Sequence, residues 1–171
     1  MRSLLLIIIP LLAVVLATGD GRSADTGPEV GKYAPSFELS DLNGKKVSLS
    51  QWKGSVVLLN FWETSCGPCR AEMPSLKKLY EDLKDRGFVV LAISIDRSEK
   101  AVKSFVAAKG LPFPVLLDSE REVFFDQYAV FGLPTSFLID RKGIIREKIL
   151  GERDWSTPEI RDRIMTLLNR K

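Results

Sequence analysis

The sequence predicts an α/β fold with a central, partly parallel sheet, on three observations. From Glu29 onward, short β-branched runs alternate with amphipathic segments, the pattern of strands joined by crossover helices. Two of the runs, Ser55 to Trp62 and Phe88 to Ile95, are almost continuously apolar, as strands covered on both faces must be. Asn43-Gly44 and the stretch Asp140 to Gly143 lie between further short runs, and each is a turn signal for an antiparallel hairpin. With 171 residues, 45% of them hydrophobic, the chain is long enough for one domain with its own core.

The elements follow in chain order. Residues 1–19 carry one positive charge, Arg2, and then an uncharged run of 14 residues from Leu4 to Ala17, broken by Pro10. A comfortable membrane span needs roughly 20 residues, so the run reads as an export segment, either a cleaved signal peptide or an N-terminal membrane anchor. No cysteine stands in it or directly after it, so a lipid-anchored form is not expected. Residues 20–28, polar and without apolar periodicity, read as a tether, with the domain spanning 29–171. Phe37 to Leu39 and Lys46 to Leu49 form the opening hairpin. The buried strand Ser55 to Trp62 then leads into a helix from Pro68 to Arg86 that stops at Gly87, and Phe88 to Ile95 is the second buried strand. A helix from Ser98 to Lys109 ending at Gly110, a strand Val115 to Leu117 and a short helix Glu120 to Tyr128 come next. Thr135 to Ile139 and Ile144 to Leu150 make the second hairpin, and Thr157-Pro158 opens a closing helix with proline at its first position.

Composition removes several function classes. The net charge is +3, with lysines and arginines scattered among the acids, so no basic stripe marks a nucleic-acid partner. The chain has no histidine, which leaves no imidazole triad and no mixed Cys/His metal site. No cofactor and no metal are expected, the domain is expected to be a monomer, and membrane contact is expected only through the N-terminal segment.

The two cysteines, Cys66 and Cys69, lie in FWETSCGPCRAEMP. A bridge across so short a loop constrains the unfolded chain very little, and two thiolates alone fall short of a closed metal site. The pair sits where the first buried strand ends and a helix begins. Unpaired N–H groups and the helix dipole favour negative charge there, so Cys66 is expected to ionise more readily than a free thiol, whose pKa is about 8.5. Cys69, one turn inside the helix, is the expected resolving thiol. Glu72 shares a stripe with Cys69, Leu76, Leu79 and Leu83 and is its only charged member. Burial there would push its carboxyl upward and let it exchange a proton with Cys69. Glu63 is a second nearby acid, whose charge would disfavour a Cys66 thiolate unless its side chain points to water.

WETSCGPC followed by RAEMP, with Phe131-Gly132-Leu133-Pro134-Thr135 later, resembles the thioredoxin superfamily, specifically the exported TlpA/ResA-like branch of thiol-disulfide oxidoreductases. The resemblance extends from about Val30 to Leu168. It implies a thioredoxin-like fold with an N-terminal β-hairpin and a central helix-strand insertion between Cys66 and Pro134. It also implies Cys66 and Cys69 as a redox-active disulfide and Glu72 as an active-site residue. An X-Pro bond is trans by default, but the resemblance implies a cis bond before Pro134, with Leu133 offering backbone hydrogen bonds to an extended substrate. Trp62 is expected beside the site as a substrate contact, and Trp52 and Trp155 as ordinary core or rim aromatics. Asn60 stands where plain thioredoxins carry a buried aspartate; asparagine relays no proton, which shifts that duty toward Glu72. Ser65 replaces the aromatic residue usual before the first cysteine.

The function expected from this resemblance is that of an extracytoplasmic reductant of protein disulfides. Its oxidised protein substrate would be apocytochrome c during cytochrome c maturation or another exported thiol protein, and a transmembrane thiol relay would donate the electrons. Two alternatives compete. Gly31 to Gly54 also resembles the start of peroxiredoxins, which implies a thiol peroxidase, although Glu63 stands where that site wants a threonine. A Cu(I) metallochaperone using the two thiolates is the non-enzymatic alternative.

Overall fold

The computed structural model describes residues 25–170. The expected export segment and the start of the expected tether lie outside the described residues. Seven strands and three helices follow in chain order: β1 (Glu38–Asp41), β2 (Lys46–Ser48), β3 (Val56–Trp62), α1 (Gly67–Leu83), β4 (Phe88–Ser94), α2 (Glu99–Lys109), β5 (Val115–Leu117), β6 (Thr135–Ile139), β7 (Ile145–Leu150) and α3 (Pro158–Asn169). They form a single sheet ordered β2-β1-β5-β4-β3-β6-β7. The β3–β4 and β4–β5 pairs are parallel. The other four pairs are antiparallel.

The two apolar runs are the centre of the sheet, and every residue of β3 and β4 is buried. Their side chains alternate between faces, as the period of a strand requires. Val56, Leu58 and Trp62 join one core with α1 residues Met73, Leu76, Leu79 and Leu83 and α3 residues Ile164 and Leu167. Val57, Leu59 and Phe61 join the other, beneath Phe124, Tyr128 and Phe137. Each fully buried side chain of this size contributes about 1.5–3 kcal/mol, so the layered sheet is the main source of stability.

The expected insertion is α2 and β5, between β4 and β6. Strand β5 accepts β1 on its free side, with Ser40 opposite Leu117, and so joins the N-terminal hairpin to the sheet. Asp25 to Gly27, read from the sequence as the end of a tether, pair with Tyr33: Tyr33 N–H donates to Asp25 O at 2.9 Å and Gly27 N–H to Tyr33 O at 3.0 Å.

Two elements depart from expectation. The first helix tightens after Leu83 into a 3-10 turn, Lys84–Arg86, which Gly87 ends at φ 88°, a conformation that glycine adopts without a Cβ clash. The expected short helix Glu120 to Tyr128 is a π-helical turn, Val123–Gln127. The Asp118 carboxylate explains it, accepting N–H bonds from Val123 at 3.4 Å and Phe124 at 2.8 Å. Burial pushes the Asp118 carboxyl above its ordinary value, and those backbone donors oppose the shift.

Candidate active site

Strand β3 delivers the chain through Glu63, Thr64 and Ser65 to Cys66, the N-cap of α1 in extended conformation. Pro68 fits the first turn because the N–H it lacks would have no helical partner there. The Cys66 sulfur accepts the N–H of Cys69 at 3.2 Å, and the two residues are joined as a disulfide. Their surroundings differ. Cys66 is half-buried beside exposed Gly67 and Pro68, whereas Cys69 is 0% exposed within the core under α1. An approaching group therefore meets Cys66 first.

Glu72 lies three residues beyond Cys69 on the buried stripe and is 1% exposed. Asn60 Nδ2 donates to its Oε1 at 2.8 Å. Arg153 N–H and Trp155 Nε1 donate to its Oε2 at 3.2 and 3.1 Å. Burial raises the Glu72 carboxyl above its ordinary value of 4.5; these three donors oppose the shift, and Glu152 adds to it. Asn60 Nδ2 also donates to Ser136 Oγ at 2.9 Å. That contact follows from register, since Asn60 and Ser136 face each other across β3 and β6. The Ser75 hydroxyl donates to Glu72 O at 2.9 Å and accepts Trp155 N–H at 3.1 Å.

Trp155 is thus more than the ordinary aromatic expected from sequence. It is 1% exposed, and its indole holds the carboxylate. No local signal links residues 83 positions apart, so sequence reasoning missed Trp155, the Arg153 amide and Ser136. Trp62 also differs from expectation. It lies in a strand covered on both faces, is 0% exposed, and packs against Phe105 with ring centroids 5.2 Å apart. It supports the buried cysteine from within the core and presents no surface for a substrate. Trp52 packs at the edge of the opposite core.

The Leu133–Pro134 bond is cis. Thr135 follows at once and pairs with Phe61, which places the cis bond at the same end of the sheet as the cysteines. Leu133 and Cys66 both pack against the core that contains Cys69. Beside the cis bond runs a groove of roughly 380 Å³ lined by Phe131, Leu133, Pro134, Lys148 and Leu150. Phe131 is 85% exposed and Leu150 65%. Glu63 accepts a hydrogen bond from Ser65 Oγ at 2.9 Å and lies 3.9 Å from the Arg121 guanidinium. Its charge, expected to oppose a Cys66 thiolate, is therefore partly offset by a cation from the chain just after β5.

A partly parallel sheet, a Cys-x-x-Cys disulfide at a helix start and a cis-proline before the neighbouring strand define a thioredoxin-like thiol-disulfide exchange site. The AhpC/TSA family model matches residues 30–148, and the chain belongs to that family. Among individual relatives it is 46% identical over 125 residues to the thiol-disulfide oxidoreductase ResA of Bacillus thuringiensis, covering 73% of this chain and 72% of the relative. It is 42% identical to ResA of Bacillus subtilis over 121 residues, 71% of this chain and 67% of the relative. Among solved structures, the thioredoxin domain of a thiol-disulfide oxidoreductase from Bacteroides vulgatus superposes with a TM-score of 0.73 at 31% identity, covering 82% of this chain and 99% of that one. Within the thioredoxin-like class, the chain belongs to the ResA group of thiol-disulfide oxidoreductases.

Proposed function

We propose that the protein is an exported reductant of protein disulfides, with Cys66 as the attacking thiol, Cys69 as the resolving thiol and Glu72 as the proton partner of Cys69. The observation that carries this reading is the asymmetry of the pair, one sulfur reachable at the helix start and the other buried one turn above a buried carboxylate. Cys66 thiolate attacks one sulfur of a substrate disulfide, a mixed disulfide forms, and the displaced substrate thiolate takes a proton. Cys69 then gives its proton to Glu72 and attacks the Cys66 sulfur, which releases the second substrate thiol and leaves the Cys66–Cys69 disulfide. Two electrons have passed to the substrate, and a transmembrane thiol relay returns two to the pair. A carboxyl raised by burial suits this duty, because it is a stronger base than an exposed carboxylate.

Leu133 and the cis-proline edge hold the substrate as an extended segment, and the apolar groove beside them suits an unfolded client. The client in this reading is apocytochrome c. The expected export segment and the reducing character implied by Gly-Pro support it. Among the described residues no helix is long and apolar enough to cross a membrane, so membrane contact in this reading rests on the N-terminal segment alone. A Cu(I) carrier has less support, since Cys69 is 0% exposed, which leaves one of the two sulfurs out of reach of an ion handed over at the surface. A peroxidase has less support too, because Glu63, engaged by Ser65 and Arg121, stands where that site carries threonine.

The test is trapping. Cys69→Ser should accumulate mixed disulfides through Cys66 because the resolving nucleophile is gone, and apocytochrome c should be among the captured proteins identified by mass spectrometry. Equal capture by Cys66→Ser would reverse the assignment of the two thiols. Capture of other exported thiol proteins without any cytochrome would replace the client.

A further inference from the structure

We infer that Asp96 is a positioning residue for Cys66, acting through Thr64. Asp96 lies just past β4, in the sequence ISIDRSEK. Trp62 is paired with Ser94 in the parallel ladder, and Ile95 N–H donates to Trp62 O at 3.1 Å. The ends of β3 and β4 are thus level, and Asp96 meets the loop that leads to the cysteine.

The contacts are specific. Thr64 N–H donates to Asp96 Oδ2 at 2.9 Å, and Thr64 Oγ1 donates to Oδ1 at 2.5 Å. Ser94 Oγ donates to Oδ2 at 2.7 Å and accepts Asp96 N–H at 3.2 Å. Both carboxylate oxygens are thus used, and the group, 8% exposed, is fixed from two sides. Charge-assisted hydrogen bonds of this kind are about twice as strong as neutral ones.

Thr64 precedes Cys66 by two residues, and Cys66 N–H donates to Glu63 O at 3.1 Å. Arg121 supplies a second hold on the same loop, with Nε donating to Ile95 O at 3.4 Å and the guanidinium 3.9 Å from Glu63. Both holds come from chain that follows β4. The loop therefore keeps Cys66 at the head of α1, where its sulfur accepts the Cys69 N–H and the helix start stabilises a thiolate. Asp96 is itself an anion, which by charge alone would oppose that thiolate. Its contribution is geometric, and a neutral change at Thr64 separates geometry from charge.

This inference rests on Cys66 being the attacking thiol, yet its test needs no client protein. In a Cys69→Ser background, where Cys66 is the sole thiol, the rate of iodoacetamide alkylation is followed against pH. Thr64→Val loses the hydroxyl contact and Asp96→Ala loses the whole clamp. Both should slow Cys66 by roughly tenfold below its midpoint, because a sulfur no longer held at the helix start forms its thiolate about one pH unit higher and only the thiolate is alkylated. The midpoint of the Thr64→Val profile should move to higher pH, and Thr64→Ser, which keeps both contacts, should restore the parent profile. Ser98→Ala is the control, since it removes the α2 cap donated to by Ala101 N–H at 3.2 Å and leaves the loop contacts in place. Folded Thr64→Val and Asp96→Ala variants with the parent's rate and midpoint would overturn the inference. So would an equal slowing by Ser98→Ala, which would mark general loosening. Failure to trap clients alongside this Thr64 dependence would instead sink only the client reading.

Discussion

In the proposed mechanism, Glu72 joins the buried stripe of α1 to the proton chemistry of the pair. A carboxyl whose folded pKa is raised holds its proton more tightly in the folded chain than in the unfolded one. Its contribution to stability is fully present below the ordinary value of 4.5 and is lost as pH rises through the raised folded value. Glu72→Gln removes that loss. The site also accepts the change: Asn60 Oδ1 has no hydrogen-bond partner, and turning the Asn60 amide would present that oxygen to the new Gln N–H and to the Ser136 hydroxyl. Thermal unfolding from pH 4 to 8 should therefore show Glu72→Gln gaining on the parent as pH rises above 4.5, while its mixed disulfides resolve more slowly because Cys69 has lost its base. Parallel stability curves and unchanged resolution would make Glu72 a packing residue. Glu72 was legible in the sequence because one charge on an apolar stripe is conspicuous. Trp155 and Ser136 were not, because only the folded sheet and the arm before α3 bring them to Glu72.

At the scale of elements, periodicity carried the most information. Strands β3 and β4 were legible as continuous apolar runs, and α2 through Gly110, whose φ of 57° ends it. Where a side chain outside the segment decides its local structure, periodicity fails. The turn Val123–Gln127 is wound by the Asp118 carboxylate rather than by its own propensity, so it reads as an ordinary short helix. Asp118→Ala should cost about 1–2 kcal/mol, the usual scale for losing a backbone-capping acceptor, as measured by urea unfolding. A smaller loss than about 0.5 kcal/mol, within the range of neutral surface changes, would mean the turn is held by packing of Phe124 alone. Trp62 shows the opposite error. Its neighbourhood to Cys66 and its depth were both legible, since a strand covered on both faces sends every side chain inward, and the expected substrate contact ignored that depth.

For the molecule as a whole, the α/β class and the exchange motif were legible, while the sheet order was not. Local patterns do not say that β5 will bridge the N-terminal hairpin to β4, or that β6 will place Ser136 beside Asn60. That order gathers a buried carboxylate, a clamped loop and a cis-proline edge around one pair of sulfurs. The central claim is that this pair is a reversible, reducing couple, and its equilibrium reduction potential tests that most directly. The protein would be equilibrated with dithiothreitol or glutathione buffers, quenched with acid and its thiols counted by alkylation. The account predicts a two-electron transition near the thioredoxin value of about −270 mV. A value near the strongly oxidising −120 mV or so of DsbA, or a disulfide that does not titrate reversibly, would contradict it.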